Sequence, residues 1–293
     1  EEEEKEEEKE EEAKKEARKE AAKINGTGRI RAVEGDLWGH GFKSLETGAI
    51  LGNRVIQLYP LHVNVDGGAA NGSFSYFLDD AEPLLFTADL KFTGVDIQAM
   101  LAAFGNKKRV LSGDLRADVL LSATRGVKPA AHGMNGYVNI STGKGRLWKF
   151  GFLSDIFSIV NIISIDELFE SGLQHKGIDG HFNMVDGVLS TEDLVMDSDT
   201  LRMSAVGEID TAASTIYATL ALHPFVTIDK IISNIPLAGW IITGEKESAV
   251  SLYFEMEGPL KDPDVMPLPV ESMTENIFGI LERLIRAPLK IFE

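Results

Sequence analysis

The 293-residue chain contains no cysteine. That single absence excludes disulfide staples, thiol nucleophiles and cysteine-ligated zinc. It also has no apolar run of about eighteen residues, the length a helix needs to cross a bilayer. Basic residues are in deficit: 29 Lys and Arg stand against 46 Asp and Glu, a formal net charge of -17. Nucleic acid is held through its phosphates by a basic footprint, so no nucleic-acid partner is expected.

Catalytic and metal signatures are missing as well. The six histidines (His40, His62, His132, His175, His181 and His223) are scattered singly, without an H-E-x-x-H or an i,i+4 pair. There is no nucleophile elbow and no phosphate loop. Gly26-Thr27-Gly28 and Gly143-Lys144-Gly145 lack the third glycine of a dinucleotide fingerprint and read as turns. Asp197-Ser198-Asp199 resembles a scrap of a calcium loop but has neither the central glycine nor the closing glutamate. No cofactor, no metal and no enzymatic activity are expected.

What the chain does have is alternation. Between Gly177 and Pro224 four strands are expected, Ile178–Asp186, Val188–Met196, Leu201–Ile209 and Thr215–His223, separated by Asp-Gly and Ser/Asp turn signals. Successive side chains of a strand point to opposite faces. One face of this meander collects Phe182, Met184, Leu194, Met196, Leu201, Met203, Ile216, Leu220 and Leu222. The other takes His181, Asn183, Glu192, Asp193, Arg202, Ser204, Glu208 and Thr219.

The same pattern extends to both sides. Short strands are expected over 29–33, 41–45, 54–59, 61–65, 72–78 and 84–92, with a tight hairpin at Asp66-Gly67-Gly68. A short helix over 95–104 precedes further strands at 110–123, 134–141 and 145–149. Residues 150–169 and 226–243 carry helical, apolar spacing, and a last strand covers 249–257. The expected fold class is mainly β: roughly twelve strands in a long antiparallel sheet with short inserted helices.

The two ends are different in kind. Residues 1–24 form a charged segment, either a solvated helical spacer or a stretch standing in for a natural helix, and carry no apolar stripe. Residues 25–270 make up the β domain. Residues 271–293 form an amphipathic helix whose apolar side holds Ile277, Phe278, Leu281, Leu284 and Ile285. That side docks either on the chain's own core or on a membrane interface or partner.

An apolar strand face has two physical readings. It is the inside of a closed, self-packed sandwich, or the floor of an open groove for acyl chains. Repeated methionine on the apolar parity (Met184, Met196, Met203 and Met256) suits variable contacts and favours the groove. So does the small number of helices available to cover so many strands. The residues expected to line it are Leu115, Val119, Leu121, Phe182, Met184, Leu194, Met196, Leu201, Met203, Leu220, Leu222, Leu252 and Phe254.

An ordered set of features also resembles a known family. Gly145–Phe150 (GRLWKF) is followed by an apolar helical stretch, Ile178-Asp179-Gly180, and Val185-Asp186-Gly187-Val188-Leu189. Leu201–Ile209, Ile235-Pro236 with Gly239, and Asp262-Pro263 before a terminal amphipathic helix complete it. Together these resemble the AsmA-like family, most closely its YhdP and TamB branch, over residues 113–293 and more loosely over 26–111. The resemblance implies a sheet curled into an open half-pipe, similar to bridge-like lipid transfer proteins. It implies a periplasmic location, with the full-length protein held in the inner membrane. Its implied cargo is phospholipid moving toward the outer membrane; the alternative to that reading is a scaffold for outer-membrane biogenesis with a closed, self-packed β core.

Overall fold

The structure, a computed structural model, describes residues 25–37, 40–79, 83–103, 109–148, 156, 172–225, 242–243 and 250–286. Among the described residues sixteen strands form one sheet. They are β1 Gly26–Ala32, β2 Gly35–Leu37, β3 His40–Gly52, β4 Val55–Val65, β5 Gly68–Phe77, β6 Leu84–Asp96, β7 Asp114–Thr124 and β8 Met134–Thr142. They continue with β9 Gly145–Leu147, β10 Leu173–Val185, β11 Val188–Ser198, β12 Leu201–Asp210, β13 Thr215–Pro224, β14 Ile242–Thr243, β15 Val250–Pro259 and β16 Asp264–Pro267. The α-helices whose bounds lie among the described residues are α1 Ile97–Ala103 and α2 Glu275–Arg286.

Pairing follows chain order from β1 through β3 to β8, then β10 to β13, β15 and β14. The path does not return to β1, so the sheet is open and not a barrel. Every pairing is antiparallel. Tight turns make this possible: at Asp66-Gly67 (φ +48° and +80°) and Asp186-Gly187 (φ +48° and +79°) both residues take the left-handed backbone a two-residue hairpin requires.

Several expected boundaries move. Segments 54–59 and 61–65 are one strand, β4, because a register shift between Leu58 and Leu61 absorbs Tyr59-Pro60 without ending the pairing. The predicted helix over 95–104 begins later, at Ile97, with the Asp96 carboxylate accepting from the Ala99 amide at 3.1 Å. Of the expected terminal helix 271–293, the described part is helical over Glu275–Arg286, and residues 287–293 lie outside the described residues. The charged segment 1–24 and the apolar stretches 150–169 and 226–243 lie outside the described residues, except for Ile156, which is fully buried, and the short β14.

Register makes the two-faced pattern continuous across the sheet. One row of cross-strand partners runs Ala32, Leu45, Val63, Ala70, Phe92, Ala117, Ile140 and Gly180. It resumes at Leu194 and continues through Ala205, Leu220 and Phe254. The next row over, on the opposite face, is polar: Arg31, Glu46, His62, Asn71, Lys91, Asp118, Asn139 and His181. Neighbours in it are bonded side chain to side chain, as in His62 Nδ1 to Asn71 Oδ1 at 2.7 Å and Lys91 to Asp118 at 3.4 Å. Exposed pairs of this kind contribute less than about 1 kcal/mol each, so the apolar face supplies most of the stability.

Candidate functional site

All thirteen residues expected to line a groove share the apolar face. Leu121 reaches Met184 through Gly136, and Val119 reaches Phe182 through Val138. Farther along, Met196, Met203, Leu222 and Leu252 form one row, and Leu194, Ala205, Leu220 and Phe254 the next. Leu115 and Leu201 sit on the same parity of β7 and β12.

Sharing a face does not give them the same surroundings. A cavity of about 250 Å³ opens on this face over β10–β13. Phe182, Leu194, Met196, Met203 and Leu220 line it. Leu201, Leu222, Leu252 and Phe254 do not; they are 1%, 0%, 4% and 2% exposed and act as core. Leu115 and Val119 belong to a separate cluster with Val95, Ile97 and Ala117, under α1. Met184 is buried, and Leu121 half-buried, outside the cavity's lining.

Sequence reasoning sought large residues and so missed the small ones that create the cavity. Its centre is Ala205, Gly207 and Ala218, cross-strand neighbours on β12 and β13, ringed by Leu189, Ile209, Ile216 and Met256. Gly207 is dictated by close packing: a Cβ there would lie 2.5 Å from the Ala218 Cα. The readable signal was three small residues in the midst of Leu and Met on one parity.

A bulge keeps Glu192 and Asp193 out of this cavity, whose one acidic lining residue is Glu208. Thr191 pairs with Gly207 and Leu194 with Ala205, so Glu192 and Asp193 together oppose Val206 alone. Without the extra residue, alternation back from Leu194 would turn Glu192 inward. The bulge is clamped on the polar face. Asp193 Oδ1 accepts the His181 amide at 2.8 Å, and Oδ2 meets His181 Nδ1 at 2.5 Å. There, between the sheet and α2, lies a notch of about 650 Å³ lined by His181, Asp193, Glu208 and Arg283 and also by Val206, Ile280 and Leu284.

Three titratable groups are perturbed chiefly by burial: Asp179, His175 and Tyr253, whose phenol is pushed up. Asp179, on the polar face, has its carboxyl pushed above the usual range by desolvation, opposed by a hydrogen bond with Ser141, and its Oδ1 has no partner. His175 is 3% exposed with Nε2 2.9 Å from the Ser112 carbonyl oxygen. Desolvation holds its pKa below 6.5, against the raising effect of that hydrogen bond. A histidine whose folded pKa is depressed binds fewer protons folded than unfolded, so stability falls as pH drops below about 6.5. Urea midpoints measured from pH 7.5 down to pH 5 should therefore fall in the native chain and flatten in His175→Gln. Equal slopes for the two proteins would remove His175 from the account.

The C-terminal helix lies on the polar side of the sheet. Leu281 is fully buried against Ala221 and Tyr253, and Ile277, Phe278, Leu284 and Ile285 pack around them. The sequence left these five residues a choice between the chain's own core and a membrane or partner; in this structure they pack on the chain's own sheet. The outward residues Glu275, Asn276, Arg283 and Arg286 are exposed. Arg202 secures the end of the helix. It holds Asp197 by two bonds, at 3.0 and 2.8 Å, and donates from Nη1 to the carbonyls of Ile285 at 2.7 Å and Leu284 at 3.3 Å. Nearby, Ser198 Oγ donates to the Leu201 carbonyl and accepts the Leu201 amide, so the Asp197-Ser198-Asp199 turn closes on itself.

Among the described residues no group of three or more His, Asp or Glu could hold a metal, and no helix is long and apolar enough to cross a membrane. With this geometry in place, comparison with family models is informative: one described as YhdP protein matches residues 7–265. The chain belongs to the YhdP family. The YhdP match starts within the charged segment, which the sequence reading placed outside the resemblance, and stops before α2, which that reading placed inside it. No curated protein and no solved structure matches the chain.

Proposed function

We propose that this member of the YhdP family is a lipid-binding β-groove of the cell envelope. Its apolar face shields acyl chains, and it conducts phospholipid between the inner and outer membranes without catalysis. One observation carries the reading: an apolar face of cross-strand partners, from Ala32 to Gly180 and again from Leu194 to Phe254, backed by a polar one. Burying one methylene is worth roughly 0.8 kcal/mol, so acyl chains bind such a face without headgroup recognition. Neighbouring positions along it are close in energy, and movement between them needs no reactive group. A contact between α2 and a membrane through the helix's apolar side would require it to leave the sheet, since only its polar side faces outward as placed.

The test uses positions that are not core. Phe182 and Leu194 are half-buried and line the cavity. Phe182→Glu with Leu194→Glu is expected to lose most co-purifying phospholipid in native mass spectrometry while keeping its β circular dichroism. Phospholipid retained at the native level in the folded variant would sink the groove.

A second reading has its own observation. Leu201, Leu222, Leu252 and Phe254 are closed off from solvent, so part of the apolar face is self-packed, as a scaffold for outer-membrane biogenesis would be throughout. A preparation that contains no phospholipid and takes up no fluorescent lipid favours the scaffold.

A further inference from the structure

We infer that the cavity over β10–β13 receives the methyl end of a single phospholipid acyl chain, so that lipid is engaged here one tail at a time and tail first. The inference rests on the lipid-groove reading and adds which part of the lipid enters, and how many chains.

Volume sets the number. At about 30 Å³ for each water-sized group, a space of about 250 Å³ holds roughly eight heavy atoms. That is part of one acyl chain of ordinary membrane length, and far less than two chains with a glycerol and a phosphate.

The walls set the orientation. The floor of Ala205, Gly207 and Ala218 carries nothing larger than a methyl group, and Met196, Met203 and Met256 close round it with unbranched side chains that adjust to a mobile tail. The bulge at Glu192-Asp193 and its His181 clamp keep both carboxylates on the far side of the sheet. No Lys or Arg lines the cavity, and its one charged lining residue is the acid Glu208. A phosphate entering it would lose its water with no cation in return, at a cost of several kcal/mol. A terminal methyl loses nothing by the same move.

The experiment locates chain positions directly. The full chain is incubated with phosphatidylethanolamine vesicles doped with a phosphatidylethanolamine that carries a diazirine on one acyl chain. In one probe the diazirine sits at the methyl end, in the other beside the ester. After irradiation, peptides are mapped by mass spectrometry. The methyl-end probe is expected to label β11–β13 at least tenfold more than the ester-side probe, and Ala205→Phe, which fills the floor, to cut that labelling about tenfold. Labelling elsewhere on the apolar face should persist in the variant. Should Ala205→Phe misfold, Ala218→Val is the substitute, with circular dichroism as the check.

Equal labelling of β11–β13 by both probes would mean that lipid runs lengthwise through the site, and would overturn the tail-first inference while leaving the groove standing. Undiminished methyl-end labelling in folded Ala205→Phe would overturn the cavity as its location. Absence of labelling anywhere on the chain by either probe would instead overturn the lipid reading itself.

Discussion

Replacing Leu220 by Glu is expected to unfold the C-terminal half of the sheet at neutral pH. Leu220 is 5% exposed, between Ala205 of β12 and Phe254 of β15. The exchange forfeits about 2 kcal/mol of apolar burial and brings a carboxylate where no cation lines the space. Desolvating that charge costs several kcal/mol more, and the sum approaches the whole stability of an ordinary domain. Protonation offers partial escape. The introduced carboxyl would have a raised folded pKa, so the variant should regain stability as pH falls below that value and lose it as pH rises through it. Urea melts of Leu220→Glu at pH 7 and pH 5 measure this, with Leu220→Met as the volume-conserving control, expected to cost less than about 1.5 kcal/mol. A Leu220→Glu protein as stable as the native chain at pH 7 would mean that this side chain does not face the apolar interior. The same burial holds for Met203, 7% exposed, so neither position can report lipid binding apart from folding.

The second large effect concerns the helix on the opposite face. Arg202→Met should cost about 3 kcal/mol and release the end of α2. The side chain is 12% exposed and its partner Asp197 15%. Its removal leaves a mostly desolvated carboxylate unpaired, which costs about 3–5 kcal/mol in fully buried pairs and somewhat less here. It also strips a charged donor from the carbonyls of Leu284 and Ile285, where a cation is favourable to the negative end of the helix dipole. Lysine should not rescue it, since one ammonium cannot hold both Asp197 oxygens and the helix end together. Amide hydrogen exchange across residues 275–286 is the direct readout. Exchange there as slow in Arg202→Met as in the native chain would show that Leu281 and its neighbours hold the helix without the latch.

Much of this was legible because strand periodicity is local. The four strands from Ile178 to His223 could be assigned from alternation, and their Asp-Gly turn is dictated by backbone angles that few residues tolerate. The parity of Phe182, Met203 and Leu220 followed from the same period. Glu192 was harder. Two successive acids cannot both avoid an apolar face in a regular strand, so their presence before Leu194 was a sign of a bulge, but its position depends on which residues of β12 stand opposite.

By itself, then, the sequence determined an open choice: a mainly β chain with one oily face, one wet face and an amphipathic terminal helix. Those properties depend on side-chain order along a single strand or helix. Tertiary structure decided what order along the chain cannot express. Leu222 and Phe182 have the same parity, yet one is sealed and the other borders a cavity, because exposure depends on neighbours distant in sequence. The terminal helix lies on the sheet's polar side because Ala221 and Tyr253 leave an apolar seat there and Arg202 reaches its last carbonyls. Small residues at positions 205, 207 and 218 become a cavity only when register brings β12 and β13 side by side.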